Sequence, residues 1–215
     1  MMINYRGKDI VLIGEVKPSS PSGFMSPYSW RKLFDLANES PCVDMISIHT
    51  DPRWEGSFES LKEARALTEK PILAKGYHAT DRELRDAFNY GADRVLVVGR
   101  IPNISLADFC YYEPLNLEQL HAFPVLAGSH RINTVVWNAR DISNPEIERY
   151  KTESINEARK LWPKQLVQAS AIRSLADIAP EADQILVGSY LPQFLRSLEE
   201  KINPLQTCRG EDSNL

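Results

Sequence analysis

Glu15 and Lys17 close an apolar run at residues 10–16, and a spacing of two sets both side chains on one side of an extended chain. A lysine beside a carboxylate, both withdrawn from water, is either a structural ion pair or an acid whose pKa is set for proton transfer. Spacing alone leaves both readings open. Lys75 ends a second apolar run, 71–74, without a polar neighbour on it. A positioned ammonium suits carbonyl chemistry, because attack on a carbonyl builds negative charge on oxygen that the ammonium stabilises while supplying a proton. Other polar residues also follow apolar runs: the turn Ser19-Ser20-Pro21-Ser22-Gly23, then His49, Asp51 and Trp54, Tyr77, Arg100, Asn138 with Arg140 and Asp141, Ser170, and Gly188 with Ser189. His49 and His130 are weaker candidates, since a histidine in such a place is more often a hydrogen-bonded structural residue than a catalyst.

Eight short apolar runs rich in Val, Ile and Leu must position these groups: 10–16, 44–48, 71–74, 94–98, 124–127, 134–137, 165–168 and 184–187. Between them, residues 28–37, 57–68, 81–90, 116–121, 145–161 and 192–201 repeat apolar residues every three or four positions, as helices packed on a sheet require. Strands alternating with helices predict a parallel sheet covered by helices, and eight repeats match a closed (β/α)8 TIM barrel. In that fold the polar residues at strand C-termini converge on one mouth. Only residues 128–133 separate the fifth run from the sixth, too few for a crossover helix of usual length, so helix five is expected to be missing or reduced. One barrel domain over 1–203 and a disordered polar tail over 204–215 are expected.

The composition narrows the function classes. A net charge of −4, with both signs interspersed among 25% charged residues, gives no footprint for nucleic acid. No run approaches a membrane span, and the first residues lack the apolar core of a signal peptide, so a cytoplasmic protein is expected. Cys42, Cys110 and Cys208 are odd in number and far apart, which suggests neither a disulfide framework nor a zinc site. No metal or organic cofactor is indicated, and the expected partner is a small molecule. Oligomeric state is not legible.

The stretch from Gly14 to Gly23, G-E-V-K-P-S-S-P-S-G, resembles the E-x-K-x-x-S-P-S-x-G signature of the indole-3-glycerol phosphate synthase family. Ser47-Ile48-His49-Thr50-Asp51 with Trp54 and Gly56-Ser57-Phe58 is similar to that family's second strand and loop, and residues 71–77 resemble its third strand. Gly91-Ala92-Asp93, Asn138-Ala139-Arg140-Asp141 and Gly188-Ser189 also fit, so that the resemblance covers residues 10–201. Enzymes of the family close an indole ring: a ring carbon attacks a carbonyl, carbon dioxide leaves, and water is lost. The resemblance implies that Lys75 protonates the carbonyl oxygen and that Lys17 is a second acid for the dehydration and a contact for the departing carboxylate. By the same resemblance Glu15 orients the lysines, Ser20 and Asn138 hold the substrate carboxylate, and Trp54 flanks the aromatic ring. Arg140, Ser170, Gly188 and Ser189 join the substrate-binding set, with the glycine and serine cradling an anion.

There are also departures from the family. Where it carries a catalytic glutamate at the end of strand five, the alignment of runs places Ala127. The glutamate and glycine of the strand-seven E-S-G motif fall on Ala169 and Ala171, and only 14 residues precede Glu15, a shortened N-terminus beside the family's long extension. His49, His130 or Arg131 could stand in for a lost glutamate. These changes imply a smaller, more open mouth and a decarboxylating cyclase turned to a neighbouring reaction. The expected substrate is an indole-bearing β-keto acid of secondary metabolism, as in the ring-closing step of scytonemin biosynthesis in cyanobacteria. A β-keto acid loses carbon dioxide with little help, so fewer acid–base groups suffice. The alternatives are an ordinary synthase of tryptophan biosynthesis and a non-catalytic barrel that binds or scaffolds.

Overall fold

The computed structural model describes residues 3–20, 23–126, 131–144, 146–147 and 149–202. Nine strands run in chain order: β1 (Ile3–Tyr5), β2 (Lys8–Val16), β3 (Met45–His49), β4 (Ile72–Lys75), β5 (Arg94–Val98), β6 (Cys110–Glu113), β7 (Thr134–Asn138), β8 (Gln165–Ala169) and β9 (Gln184–Val187). From β2 to β9 each strand pairs in parallel with the next, and β9 returns to β2 through the register Val11↔Gln184 to Gly14↔Val187. That pairing closes the expected eight-stranded barrel. β1 lies outside it, antiparallel to the start of β2. Arg6 and Gly7, both left-handed at φ 53° and 77°, make the two-residue turn between them.

Among the described residues six helices cover the barrel: α1 (Trp30–Glu39), α2 (Phe58–Leu67), α3 (Asp81–Asn89), α4 (Leu117–Leu126), α5 (Ile155–Leu161) and α6 (Leu191–Ile202). Their starts are written in the sequence. Ser29, Ser57, Thr80 and Ser154 each accept a backbone N–H of the first turn, and Thr80 with Glu83 and Ser154 with Glu157 form reciprocal capping boxes. The helices turn apolar residues onto the sheet, such as Leu33, Phe34 and Ala37 of α1 and Leu84 and Ala87 of α3.

The barrel's helices are indeed reduced, but not where the sequence pattern put the gap. The run at 124–127 is not the fifth strand: Pro124, Val125 and Leu126 belong to α4, and Ala127 lies outside the described residues. The fifth barrel strand is β6, Cys-Tyr-Tyr-Glu, pairing Val95↔Cys110 through Val98↔Glu113. α4 follows it, so a ten-residue helix does stand between the fifth and sixth barrel strands. The missing crossover helices are those after β5 and β8, where short 3-10 turns at Ala107–Phe109 and Leu175–Asp177 take their place. Pro124 explains the misreading. A proline ordinarily stops a helix, and the apolar residues after one read as a new strand. The helix expected over 145–161 begins only at Ile155, after Arg140 and Tyr150 have paired as an antiparallel bridge. Residues 204–215, expected as a tail, lie outside the described residues.

Alternation along each strand divides the core in two. Leu12, Ile46, Ile72, Val95 and Ile185 face the helices, while Ile13, Leu73, Leu96, Tyr111, Val136, Val167 and Leu186 fill the barrel. The inward set continues two residues further to Glu15, Lys75, Val98, Glu113, Asn138 and Ala169 at the strand C-termini. No helix among the described residues is long and apolar enough to cross a membrane. Cys42 and Cys110 are buried free thiols, the latter pushed up to about 12 by burial, and Cys208 lies outside the described residues.

Candidate active site

The inward ends of the strands open into a cavity of about 320 Å³, within the range of small-molecule sites. Glu15 is its centre. The Oε1 atom of its carboxylate accepts Lys75 Nζ at 2.8 Å and His49 Nε2 at 2.5 Å, and Glu15 is only 3% exposed. Burial by itself would raise a carboxyl here, but Lys75, His49 and Lys17 outweigh it and hold Glu15 well below the usual carboxylate range. His49 moves downward, because its own burial exceeds the pull of Glu15. The pair is therefore a neutral imidazole donating to a carboxylate, with the ring proton on Nε2 and Nδ1 buried without a partner. Lys17, next along the chain, lies with Nζ 5.7 Å from the Phe24 ring centre.

Gly188 gives this carboxylate its place. A Cβ at residue 188 would fall 1.9 Å from Glu15 Oε2, so only glycine lets β9 pass so close. Gly188→Ala should push Glu15 off its two donors. A displacement on the order of 1 Å at reacting groups costs about 10² in rate, and steady-state turnover of the folded variant, checked by circular dichroism, measures it. Full activity would mean that Glu15 need not sit where it does.

Across the barrel a second chain of hydrogen bonds ends on Glu113. Ser170 Oγ donates to Asn138 Oδ1 at 2.7 Å, and Asn138 Nδ2 donates to Glu113 Oε1 at 2.7 Å. Arg140 N also donates to Asn138 Oδ1, which fixes the orientation of the amide. Burial raises the Glu113 carboxyl, tempered by Lys75, Asn138 and Lys151 and reinforced by the charge of Glu15. Because Oε1 is taken as an acceptor, a proton on this carboxyl belongs on Oε2. Lys151 completes this side: Nζ lies 4.3 Å from the Trp137 ring centre and donates to Pro114 O at 3.1 Å, and burial lowers its pKa.

Of the residues singled out from sequence, Glu15, Lys17, His49, Trp54, Lys75, Tyr77, Asn138, Arg140, Ser170, Gly188 and Ser189 line this one cavity. Ser20 does not. Its backbone closes a turn, donating to Phe24 O and accepting Gly23 N–H, and its burial is in that turn. Arg131 points away, bonded to Ile104 O and paired with Asp108, and His130 lies outside the described residues. Glu113 was missed, and with it goes the idea that strand five had lost its glutamate. Ala169 does hold the strand-seven position, its methyl packed inside the barrel. Ser170 and Ala171 after it keep left-handed backbone, φ 70° and 58°, a conformation that costs a non-glycine residue about 1 kcal/mol. Phe24, Tyr77, Tyr150 and Tyr190 add an aromatic rim. Among the described residues no group of three His, Cys, Asp or Glu side chains could hold a metal ion.

A (β/α)8 barrel with lysine and carboxylate groups gathered at its strand C-termini is a barrel enzyme of acid–base chemistry. The sequence profile of the family described as Indole-3-glycerol phosphate synthase matches residues 2–202. The chain belongs to that family, and it is a carboxy-lyase of the ring-closing kind. An indole-3-glycerol phosphate synthase of Sulfurisphaera tokodaii is 26% identical, over 89% of this chain and 82% of its own length. One from Thermococcus kodakarensis is 28% identical, over 88% and 92%. Among solved structures, 3-hexulose-6-phosphate synthase from Salmonella typhimurium superposes with a TM-score of 0.60 at 16% identity, covering 89% of this chain and 99% of that one, a likeness of fold alone.

Proposed function

We propose that this protein catalyses a decarboxylating ring closure on an indole-bearing β-keto acid, a small carboxylate substrate of secondary metabolism such as that of scytonemin formation. A carbon of the aromatic system attacks the ketone carbon, and Lys75 gives a proton to the oxygen, which becomes a hydroxyl. The attacking aromatic carbon gives up its proton, which restores the ring. The hydroxyl then leaves as water with a proton from Lys17 or from the buried Glu113, as the neighbouring carboxylate loses carbon dioxide and its electron pair forms the new carbon–carbon double bond. Glu15 holds Lys75 in place, Asn138, Arg140 and Ser170 receive the carboxylate end, and Trp54 lies against the aromatic ring.

The observation that carries this choice of substrate is the wall formed by β8 and β9. Ala171, Ile172 and Tyr190 line it with apolar groups, and Ala169 and Ala171 stand where the family motif has a glutamate and a glycine. Such a wall suits an apolar, aromatic substrate part. Ordinary indole-3-glycerol phosphate synthesis is the second reading, and Glu113 favours it, since the acid at the end of strand five is present after all. Assay of the unmodified protein with both compounds decides: turnover of the β-keto acid and little of the phosphorylated anthranilate-type precursor is expected. Efficient conversion of the phosphorylated compound would restore the ordinary synthase. No conversion of either would return the choice to a barrel that only binds.

A further inference from the structure

We infer that His49 is a positioning residue for the reaction, its imidazole N–H holding the same Glu15 oxygen that receives Lys75 and thereby setting how the lysine meets the substrate. The inference rests on the reading of Lys75 as proton donor. Two donors converge on one oxygen: Nε2 of His49 at 2.5 Å and Nζ of Lys75 at 2.8 Å. Oε2 meanwhile lies against Gly188. With His49 in place the carboxylate has no free rotation, and the lysine is aimed by a fixed acceptor. Without it, Glu15 and Lys75 could turn together.

The ring is itself held on several sides. It stacks on Trp54 with centroids 5.6 Å apart and planes 10° off parallel. Gly56 lets the following loop close on its backbone, a Cβ there falling 2.4 Å from His49 O. Register places it beside Lys75, His49↔Lys75. The ring borders the cavity, but its Nε2 is committed to Glu15 and its Nδ1 is buried, so its polar contact with the reacting groups runs through Glu15. The charged groups facing this assembly are Glu15 from β2 and Lys17 just after it, Lys75 from β4, Asp51 beyond β3 and, across the barrel, Glu113 from β6, with the Tyr77 phenol nearby.

The test is the pH dependence of kcat for the unmodified protein, His49→Leu, His49→Gln and Lys75→Met, on whichever of the two compounds is turned over. His49→Leu fills the space without a donor, and kcat should fall about tenfold to a hundredfold. Glu15 works as a carboxylate, and a carboxylate that loses a donor is protonated more easily. The acid limb should therefore move up, by about one pH unit for one charge-assisted hydrogen bond. His49→Gln, whose amide can donate to the same oxygen, should bring the limb and most of kcat back. An acid limb unmoved in His49→Leu, or a glutamine variant as impaired as the leucine one, would overturn the inference. Should His49→Leu fail to fold, 15N histidine spectra of the unmodified protein decide alongside the glutamine variant. A neutral ring protonated at Nε2 at pH 7 is expected, and an imidazolium or an Nδ1–H form would contradict it. Lys75→Met separates the two levels. If it keeps full turnover the proton-donor reading fails, whereas if it is inactive and the His49→Leu limb stays put, only the role of His49 is lost.

Discussion

Lys75→Met is expected to lower kcat by about 10² to 10⁴, the usual contribution of one positioned proton donor. The same substitution should also weaken the fold at neutral pH, because it strands a carboxylate that is 3% exposed. Removing one partner of a buried pair costs about 3–5 kcal/mol, and the remaining His49 hydrogen bond and nearby Lys17 should keep the loss at or below the lower figure. The direction with pH follows from Glu15, whose carboxyl is depressed in the folded state. Its stabilisation is complete above the unfolded value of 4.5 and is lost as pH falls toward the folded one. The gap between variant and parent should therefore be widest near pH 7 and should narrow in acid. Adding Glu15→Gln to Lys75→Met removes the stranded charge and should recover much of the stability while kcat stays low. Urea unfolding at pH 7 and pH 4 beside steady-state rates checks both. A methionine variant with normal turnover would sink the assignment, and one as stable as the parent at pH 7 would show that the ion pair contributes little to folding.

Most of the barrel was legible because its strands are short, continuous runs rich in Val and Ile, buried on both faces, and because its helices repeat apolar residues every three or four positions. The alternation of side chains along an extended chain made the cavity legible: once Ile13 and Leu73 face inward, Glu15 and Lys75 must as well. The fifth strand was not legible because Cys110–Glu113 has no branched aliphatic residue at all, and its β character rests on Tyr111 and Tyr112. Pro114 directly after it and the polar Asn116 at the head of α4 were the available stop and start signals. Spacing offered a further one. A fifth strand at 124–127 leaves a 25-residue gap after residue 98 and six before 134, whereas one at 110–113 makes room for α4. The partner of His49 was not legible for a different reason. Sequence shows its place at a strand end but not that a neighbouring strand brings a carboxylate to within hydrogen-bonding distance. That Ser20 lies off the cavity lining, in a turn where its N–H donates to Phe24 O, is a placement that a motif, which fixes only residue types, does not show.

Glu113→Gln should separate chemistry from stability in the opposite sense to Lys75→Met. Glutamine keeps a carbonyl oxygen to accept Asn138 Nδ2 and keeps the volume, so the chain from Ser170 through Asn138 can remain intact. What it lacks is a transferable proton, and kcat should fall by about 10² to 10⁴. Folding should not suffer at neutral pH. Burial raises the Glu113 carboxyl in the folded protein, so the folded state binds its proton more tightly than the unfolded chain does. As pH rises from the unfolded value of 4.5 through the folded one, the parent protein loses stability at this position, and glutamine, which does not titrate, loses none. The variant should thus be at least as stable as the parent at pH 7, with an advantage that shrinks toward pH 4, as thermal unfolding across that interval would show. A variant that is less stable at pH 7 but matched in acid would mean that Glu113 is ionised and paired with Lys75, and the acid role would go with it. The two carboxyls of the cavity are set apart by their surroundings: three basic groups hold Glu15 down, while burial and the charge on Glu15 push Glu113 up. A pair pushed in opposite directions can fix a lysine with a carboxylate at one wall and place a proton-transfer group at the other, which is what a ring closure followed by loss of water requires.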